Sequence, residues 1–281
     1  MFRKPLALCI VLLMCISALS LAHAQDGIVQ GTPRTPGDAE IPEIPEIPEM
    51  TDLLEPKVPE NIQKVVIRDD NRTSVNPREH PYTAIALLSV SAPCGCSWET
   101  TGFMVSSRGM LTSANSIYCD THKKFFDAMT AYFGVTPSGE YYYKYNVNGT
   151  YWYFDKFLNP KDEADWDVAY LLLDEAVGDI VGNFGLCILS DYDLGMEWVE
   201  VAGYGAGGLK SDLGITEVLS EYLVGYDADT ADGYLGGPVF DKDGYVYAVN
   251  TAFSGTNRDF NVGRRITDDL ANAMFEDGLF R

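Results

Sequence analysis

Few side chains in this sequence could act as a general base near neutral pH. Histidine is the residue best suited to that role, and the chain has three: His23, His80 and His122. Two groups of acidic residues could suggest calcium binding or acid–base catalysis. "DKDG" (241–244) lacks the twelve-residue pattern of a calcium loop and fits a hairpin turn. The other group is the trio Asp162, Asp165 and Asp167.

Six cysteines are present, and two of them lie in the N-terminal leader described below. The other four form an even set, which in an exported chain suggests two disulfides. Cys94 and Cys96 are separated by one residue and are unsuitable partners for each other. Metal binding is the rival interpretation, but there is no C-x-x-C and no nearby histidine pair, so we expect no metal. The four are Cys94, Cys96, Cys119 and Cys187.

The N-terminal part of the chain has the composition of a leader and a spacer. Arg3 and Lys4 precede an uncharged apolar run at 6–22, and Ala-His-Ala at 22–24 is a cleavage signal. We therefore predict a signal peptide at 1–24 and a secreted, extracellular or periplasmic protein, with an uncleaved membrane anchor as the alternative. Residues 25–64 repeat Ile-Pro-Glu, which predicts an extended propeptide or linker.

From residue 65 onward, short β-branched and aromatic runs alternate with Gly and Asp turns. This spacing predicts an all-β sandwich or barrel over residues 65–281. "YYYKYNVNGTYWYF" (141–154) predicts a hairpin, with Asn148-Gly149 suited to a type I′ turn. "TDDLANAMFEDGLF" (267–280) predicts a C-terminal helix with Thr267 as its N-cap. The clearest strand candidates are residues 82–90, 101–107, 167–174, 198–204, 237–241 and 244–253.

Several sequence motifs across residues 65–270 occur in the same order as the motifs of a known protein family. They are "VVIRDDNRTSV" with "HPYTAIALL" (65–88), "TGFMVSSRGMLTSANSIYC" (101–119), "DWDVAYLLLDEAVGDIVGNFG" (165–185), "VAGYGAGG" (201–208) and "DTADGYLGGPVFDKDGYVYAVNTAF" (229–253). Together they resemble the chymotrypsin-fold serine peptidases, most closely the V8-like glutamyl endopeptidases. The resemblance implies two six-stranded antiparallel β-barrels followed by the C-terminal helix.

The same resemblance maps a catalytic triad onto three positions of this chain. The family's histidine falls on Asn115, its aspartate on Asp167 and its nucleophilic serine on Leu235. Leucine has no removable proton and asparagine is not a base, although the Asn115 amide could still hydrogen-bond Asp167. No residue between Ala231 and Phe240 is Ser, Thr or Cys. A shift of the alignment therefore cannot restore the triad.

Other family features map as follows. The oxyanion hole would be formed by the backbone N–H groups of Gly233 and Leu235, which do not depend on a serine side chain. In the substrate pocket, Thr230 is retained and the recognition histidine is replaced by Asn250. The usual disulfide positions carry Thr100 and Ser116. Cys96 and Cys119 lie close to those positions and would form a shifted disulfide, which leaves Cys94 and Cys187 as candidates for a second one.

These observations lead to a functional hypothesis with two alternatives. The hypothesis is a non-catalytic peptidase homologue whose cleft binds a polypeptide or whose surface engages an active protease, inhibitor or receptor. The net charge of −21 favours a basic partner or simply solubility, and it disfavours nucleic acid and anionic membranes. We expect no cofactor, because "GYGAGG" lacks the strand–loop–helix unit of a phosphate site. The first alternative is an active endopeptidase using His80 or His122. The second is a carbohydrate-binding or structural protein using the aromatic residues at 141–154.

Overall fold

The structure is a computed structural model that describes residues 33, 66–67, 69–147, 149–159, 161, 163–251 and 260–280. The predicted signal peptide, and nearly all of the predicted propeptide or linker, lie outside the described residues. In the described part of the chain, no helix is both long and apolar enough to cross a membrane.

The described part of the chain contains seventeen β-strands, joined by turns, loops and short helices. All six segments singled out as strands in the sequence contain one. The strands are β1 (Thr73–Ser74), β2 (Ile85–Ser91), β3 (Ser97–Met104), β4 (Gly109–Thr112), β5 (Tyr118–Cys119), β6 (Lys124–Phe125), β7 (Ala128–Phe133), β8 (Tyr143–Asn146), β9 (Gly149–Tyr153), β10 (Ala169–Leu173), β11 (Gly185–Leu186), β12 (Trp198–Gly205), β13 (Gly208–Val218), β14 (Leu223–Tyr226), β15 (Pro238–Phe240), β16 (Tyr245–Thr251) and β17 (Asn261–Arg265).

Helices are short and connect or follow the strands. The α-helices are α1 (Val177–Val181), α2 (Asp191–Leu194) and α3 (Asp268–Glu276), and 3-10 helices span Tyr82–Ala84, Asn115–Ile117, Asp155–Leu158 and Ala164–Trp166. The predicted C-terminal helix is confirmed as α3, with Thr267 as its N-cap and Leu270 and Met274 buried on one face. It ends at Glu276, four residues earlier than predicted.

The predicted all-β, two-barrel fold is confirmed, although the first barrel is an open seven-stranded sheet and not the closed six-stranded barrel that was predicted. The second barrel has the strand order β13-β12-β15-β16-β17-β14, and it is closed because β14 also pairs with β13. The first is a seven-stranded sheet in the order β8-β7-β2-β3-β4-β10-β9. One continuous core of buried apolar side chains draws on both sheets, including Leu88 and Phe103 from the first and Phe240 and Val249 from the second.

The predicted hairpin at 141–154 is wrong in its pairing. Strand β8 pairs with β7 and strand β9 pairs with β10, so the two lie at opposite edges of the first sheet. Aromatic side chains of both strands explain this, because several of them find ring partners on other elements. Trp152 stacks on Tyr170 of β10 with ring centroids 5.3 Å apart, and Phe125 lies 4.2 Å from Tyr153. Burial of large rings therefore outweighs a local Asn-Gly turn signal.

Candidate functional site

Asp167 is the buried centre of the site between the barrels. It follows the 3-10 helix Ala164–Trp166, just before β10, and none of its surface is exposed. One carboxylate oxygen accepts a hydrogen bond from the backbone N–H of Asn115 at 2.7 Å. The other accepts a bond from the Thr251 hydroxyl at the end of β16. Burial raises the pKa of Asp167, and the hydrogen bonds from Thr251 and Asn115 oppose that rise.

The raised pKa of Asp167 predicts a pH-dependent stability. The folded protein holds the Asp167 proton more tightly than the unfolded chain, so the free energy of unfolding falls as pH rises from 3.8 through the raised pKa. Asp167→Asn removes this titration. We expect its free energy of unfolding, relative to the natural chain, to rise by about 1.4 kcal/mol per pH unit over that interval. Urea unfolding of both proteins across the interval measures the difference, and parallel pH profiles would contradict the prediction.

Asn115 stands where a general base would be needed. It begins the 3-10 helix Asn115–Ile117 that follows β4, which brings its backbone N–H to Asp167. Its side-chain amide donates to the carboxylate of Glu163 at 3.2 Å. An amide in this position can donate and accept hydrogen bonds, but it cannot accept a proton near neutral pH. Position 115 is therefore polar and well anchored but is not basic.

The loop carrying Leu235 is attached to the first barrel by its backbone. Thr101 donates from its N–H to the Leu235 carbonyl at 3.0 Å and from its hydroxyl to the Gly233 carbonyl at 2.6 Å. Thr100 donates from its hydroxyl to the same Leu235 carbonyl at 2.8 Å. Gly233 and Gly236 have φ angles of 91° and 78°, which non-glycine residues rarely adopt. The loop shape thus depends on glycines and backbone contacts, and no serine is required for it.

The two backbone N–H groups predicted to form the oxyanion hole are available to a ligand as far as the described residues go. Within the described residues, neither the Gly233 N–H nor the Leu235 N–H donates a hydrogen bond. The Leu235 side chain between them is half-buried and apolar. Two backbone donors beside a hydrocarbon side chain could bind a carbonyl or carboxylate oxygen.

The pocket-equivalent residues lie next to this loop. Asn250 is buried in β16; its amide donates to the Tyr234 carbonyl at 2.9 Å and accepts from the Tyr226 hydroxyl. Both ends of the Asn250 side chain are therefore occupied by protein groups. Thr230 is buried and lies shortly before Gly233 in the sequence. Its hydroxyl makes no hydrogen bond within the described residues. Thr230 is thus the side chain of this pair that remains able to bond a ligand.

The residues at the family's usual disulfide positions do meet. Thr100 on β3 lies beside Ser116 of the 3-10 helix Asn115–Ile117, with their hydroxyl oxygens 2.7 Å apart in a buried hydrogen bond. Because Thr100 also bonds the Leu235 carbonyl, one hydroxyl connects the loop at 235 with the residue after Asn115. A hydrogen bond here occupies the position at which the resemblance implied a covalent link.

The disulfide predictions are not supported by the structure. Cys96 and Cys119 are not bonded to each other, and none of the four cysteines in the described part of the chain forms a disulfide. Cys187 packs in an apolar cluster of the second barrel. Cys94 instead lies close to Cys96 and Cys119, and His122 completes the group. No sequence motif predicted this grouping, which arises because the turn after β5 folds the His122 ring back onto the thiols.

The acidic motif at 241–244 has a structural role. Asp241 in "DKDG" accepts hydrogen bonds from the N–H groups of Asp243 and Tyr245, both at 2.9 Å, and closes the turn between β15 and β16. The predicted hairpin turn is therefore confirmed. Asp162 lies outside the described residues. Thr251 and Glu163 were missed by the sequence reasoning, although Thr251 follows directly after the pocket-equivalent Asn250.

Comparisons with known proteins agree with this geometry. No protein-family model matches the sequence, and no curated protein matches it. A Glu endopeptidase structure matches with a TM-score of 0.65 and 22% identity, covering 76% of this chain and 99% of that one. The protease Anisep from Arthrobacter nicotinovorans gives 0.55 and 18%, covering 69% and 93%. A scabies mite inactivated protease paralogue gives 0.57 and 15%, covering 73% and 96%. The chain therefore has the chymotrypsin fold of the serine peptidases.

Proposed function

We propose that this protein is a non-catalytic serine peptidase homologue that binds a polypeptide in the cleft between its two barrels. The observation that carries the proposal is the replacement of two triad positions beside a buried aspartate. Asn115 stands at the position of the base and Leu235 at that of the nucleophile, while Asp167 is retained. Acyl transfer by a serine peptidase needs a nucleophile and a base at the two replaced positions. The proposal is supported by a fold and an anchored loop that are otherwise intact.

The loss of catalytic rate expected from these two replacements is large. Loss of the serine or the histidine alone costs about 10⁶ in turnover in enzymes of this type. That factor corresponds to about 8 kcal/mol of activation free energy. The backbone donors at Gly233 and Leu235 would retain only residual transition-state stabilisation. One of the structural neighbours is described as an inactivated protease paralogue, so a protein of this fold without activity has a precedent.

Charges near the cleft favour a basic partner. Glu163 is hydrogen-bonded to Asn115 at one side. Asp232 directly precedes Gly233, and one of its carboxylate oxygens is buried without a hydrogen-bond partner in the described part of the chain. A buried, unpaired carboxylate oxygen is costly unless a donor reaches it. Asp232 and Glu163 are both only half-buried, so an arginine or lysine side chain of a bound polypeptide would be attracted to these two carboxylates.

The absence of catalysis can be tested directly. We expect the purified natural chain to show no labelling by a fluorophosphonate probe and no cleavage of Glu-containing or Arg-containing peptides, relative to a boiled sample. The reason is that position 235 has no nucleophilic oxygen. Labelling or turnover above the boiled control would contradict the proposal. If that rate followed a histidine titration and disappeared in His80→Ala or His122→Ala, it would establish the alternative active endopeptidase.

Binding in the cleft is tested with matched substitutions of leucine. Peptides selected from a displayed random library on the natural chain are expected to be enriched in Lys and Arg. We expect Leu235→Arg to weaken their binding by at least about tenfold, through bulk and like charge. Leu213→Arg is the control, because Leu213 is 63% exposed on β13 of the second barrel. Equal binding by both variants, or no basic enrichment, would contradict binding in the cleft.

A further inference from the structure

Three thiols and one imidazole, none of them a triad-equivalent or pocket-equivalent residue, converge on the first barrel. The sulfur atoms of Cys94, Cys96 and Cys119 and a ring nitrogen of His122 all lie within 4.8 Å of one another. His122 Nδ1 is 3.3 Å from the Cys96 sulfur and 3.4 Å from the Cys119 sulfur. We propose that these four side chains bind one Zn²⁺ ion in a closed, structural site.

The donor set and its spacing fit zinc. Three cysteine thiolates and one histidine form a common structural zinc site with tetrahedral geometry. With Zn–S bonds of about 2.3 Å and Zn–N bonds of about 2.0–2.1 Å, the S···N edges of such a tetrahedron are about 3.5 Å. Both S···N distances observed here are close to that value. Four protein ligands leave no open position, so the site has a structural role and does not supply chemistry.

Hydrogen bonding or a disulfide explains the cluster less well. A single Nδ1 atom in one tautomer can bond one sulfur well, yet here it lies near two. A disulfide would use two of the three thiols and leave the third thiol and the imidazole beside it without a common partner. Thiolates are also soft ligands that select zinc over magnesium or calcium.

Two turns present the ligands in pairs. Cys94 and Cys96 lie in the turn between β2 and β3, which is closed by hydrogen bonds between Ala92 and Cys96 and between Gly95 and Ala92, both at 2.9 Å. Cys119 ends β5 and pairs with Lys124, which folds the intervening turn so that His122 reaches its neighbours.

The backbone around the two turns holds them side by side without the metal ion. Trp98 on β3 donates from its indole N–H to the Ser116 carbonyl at 2.9 Å. Asp127 donates from its N–H to the Ser91 carbonyl at 3.0 Å. The four ligands are thus brought together by contacts other than their own. The metal ion would fasten the turn between β2 and β3 to the segment that begins at Asn115.

The first test measures metal content. The full chain, produced with zinc in the medium and purified under reducing conditions, is expected to contain about one zinc ion per chain by elemental analysis. Cys119→Ser and His122→Asn are expected to weaken zinc binding at least about 100-fold, since the loss of a supporting residue alone costs about 10–100-fold. Cys187→Ser is the control and should retain zinc, because Cys187 packs in the second barrel. A natural chain without zinc would overturn the proposal.

A second measurement requires no variant. With zinc bound, Cys94, Cys96 and Cys119 are expected to resist alkylation, and a chelator should make all three reactive. Peptide mapping identifies the modified residues. Alkylation that is the same with and without the chelator would overturn the proposal. So would a peptide in which a disulfide joins Cys96 to Cys119.

Discussion

The double variant Asn115→His/Leu235→Ser is expected to react with a fluorophosphonate probe at least about 10³-fold faster than the natural chain. Restoring both missing groups recovers part of the roughly 10⁶ that their absence costs. Each single variant should remain close to the natural chain, because a serine without a base and a base without a nucleophile are both nearly inactive. The expected gain is therefore far larger than the sum of the two single effects.

The natural protein already contains the groups that would support the restored reaction. Asp167 is fixed by the Asn115 N–H at 2.7 Å and by the Thr251 hydroxyl, so its carboxylate is ready to orient an imidazole at position 115. The backbone N–H groups of Gly233 and Leu235 have no acceptor within the described residues, so they could stabilise an oxyanion. Reaction of the introduced hydroxyl at position 235 would also form a new covalent adduct that mass spectrometry can locate.

The matched control for this experiment is Asn115→His/Leu235→Ala, which has the imidazole without the hydroxyl. It should not be labelled, and a circular dichroism spectrum equal to that of the natural chain would show that each variant is folded. If the serine-containing variant folds and is not labelled above the alanine-containing one, positions 115 and 235 are not the triad positions. That result would contradict the assignment on which the proposed function depends.

The sequence pattern predicted an all-β sandwich or barrel, and the resemblance to the chymotrypsin-fold peptidases implied two barrels. Short, mostly apolar runs between turn signals mark β2, β10 and β16 without knowledge of their partners. Strand pairing is a property of the whole sheet, and the segment at 141–154 shows this. Its Asn-Gly pair indicated a local hairpin, yet Trp152 and its neighbours gain more by stacking on β10.

The candidate site was predictable in part for a similar reason. Asn115, Asp167 and Leu235 stand within motifs whose order along the chain is fixed. The roles of Thr251 and Glu163 depend on contacts between residues that are distant in sequence. Thr251 bonds Asp167 across 84 positions, and Glu163 bonds Asn115 across 48 positions. The grouping of the thiols with His122 was not predicted, because C-x-C and C-x-x-H are short motifs on separate turns. Only the fold, which places the β2–β3 turn beside the β5–β6 turn, brings them together.

Gly236→Ala is expected to destabilise the fold by about 2–5 kcal/mol, because position 236 combines backbone strain with close contacts. Its φ is 78°, a left-handed value that costs a residue with a Cβ about 1–2 kcal/mol. A Cβ there would lie 2.1 Å from the Thr112 hydroxyl oxygen, 2.3 Å from the Thr101 carbonyl oxygen and 2.8 Å from the Ser113 nitrogen. Relieving such overpacking costs about 1–3 kcal/mol more.

Gly207→Ala separates these two contributions. Gly207 has a φ of 95°, but a Cβ there would meet only the flexible end of Lys210 at 3.8 Å. We therefore expect Gly207→Ala to cost about 1–2 kcal/mol, the backbone contribution alone. The midpoints and slopes of urea unfolding curves give the free energy of unfolding of each variant, and therefore the difference between them. Equal destabilisation would show that the loop is not seated against Thr101 and Thr112. A larger loss at Gly236 would mean that the first barrel supports the loop at Leu235 by its shape, independently of any catalytic side chain.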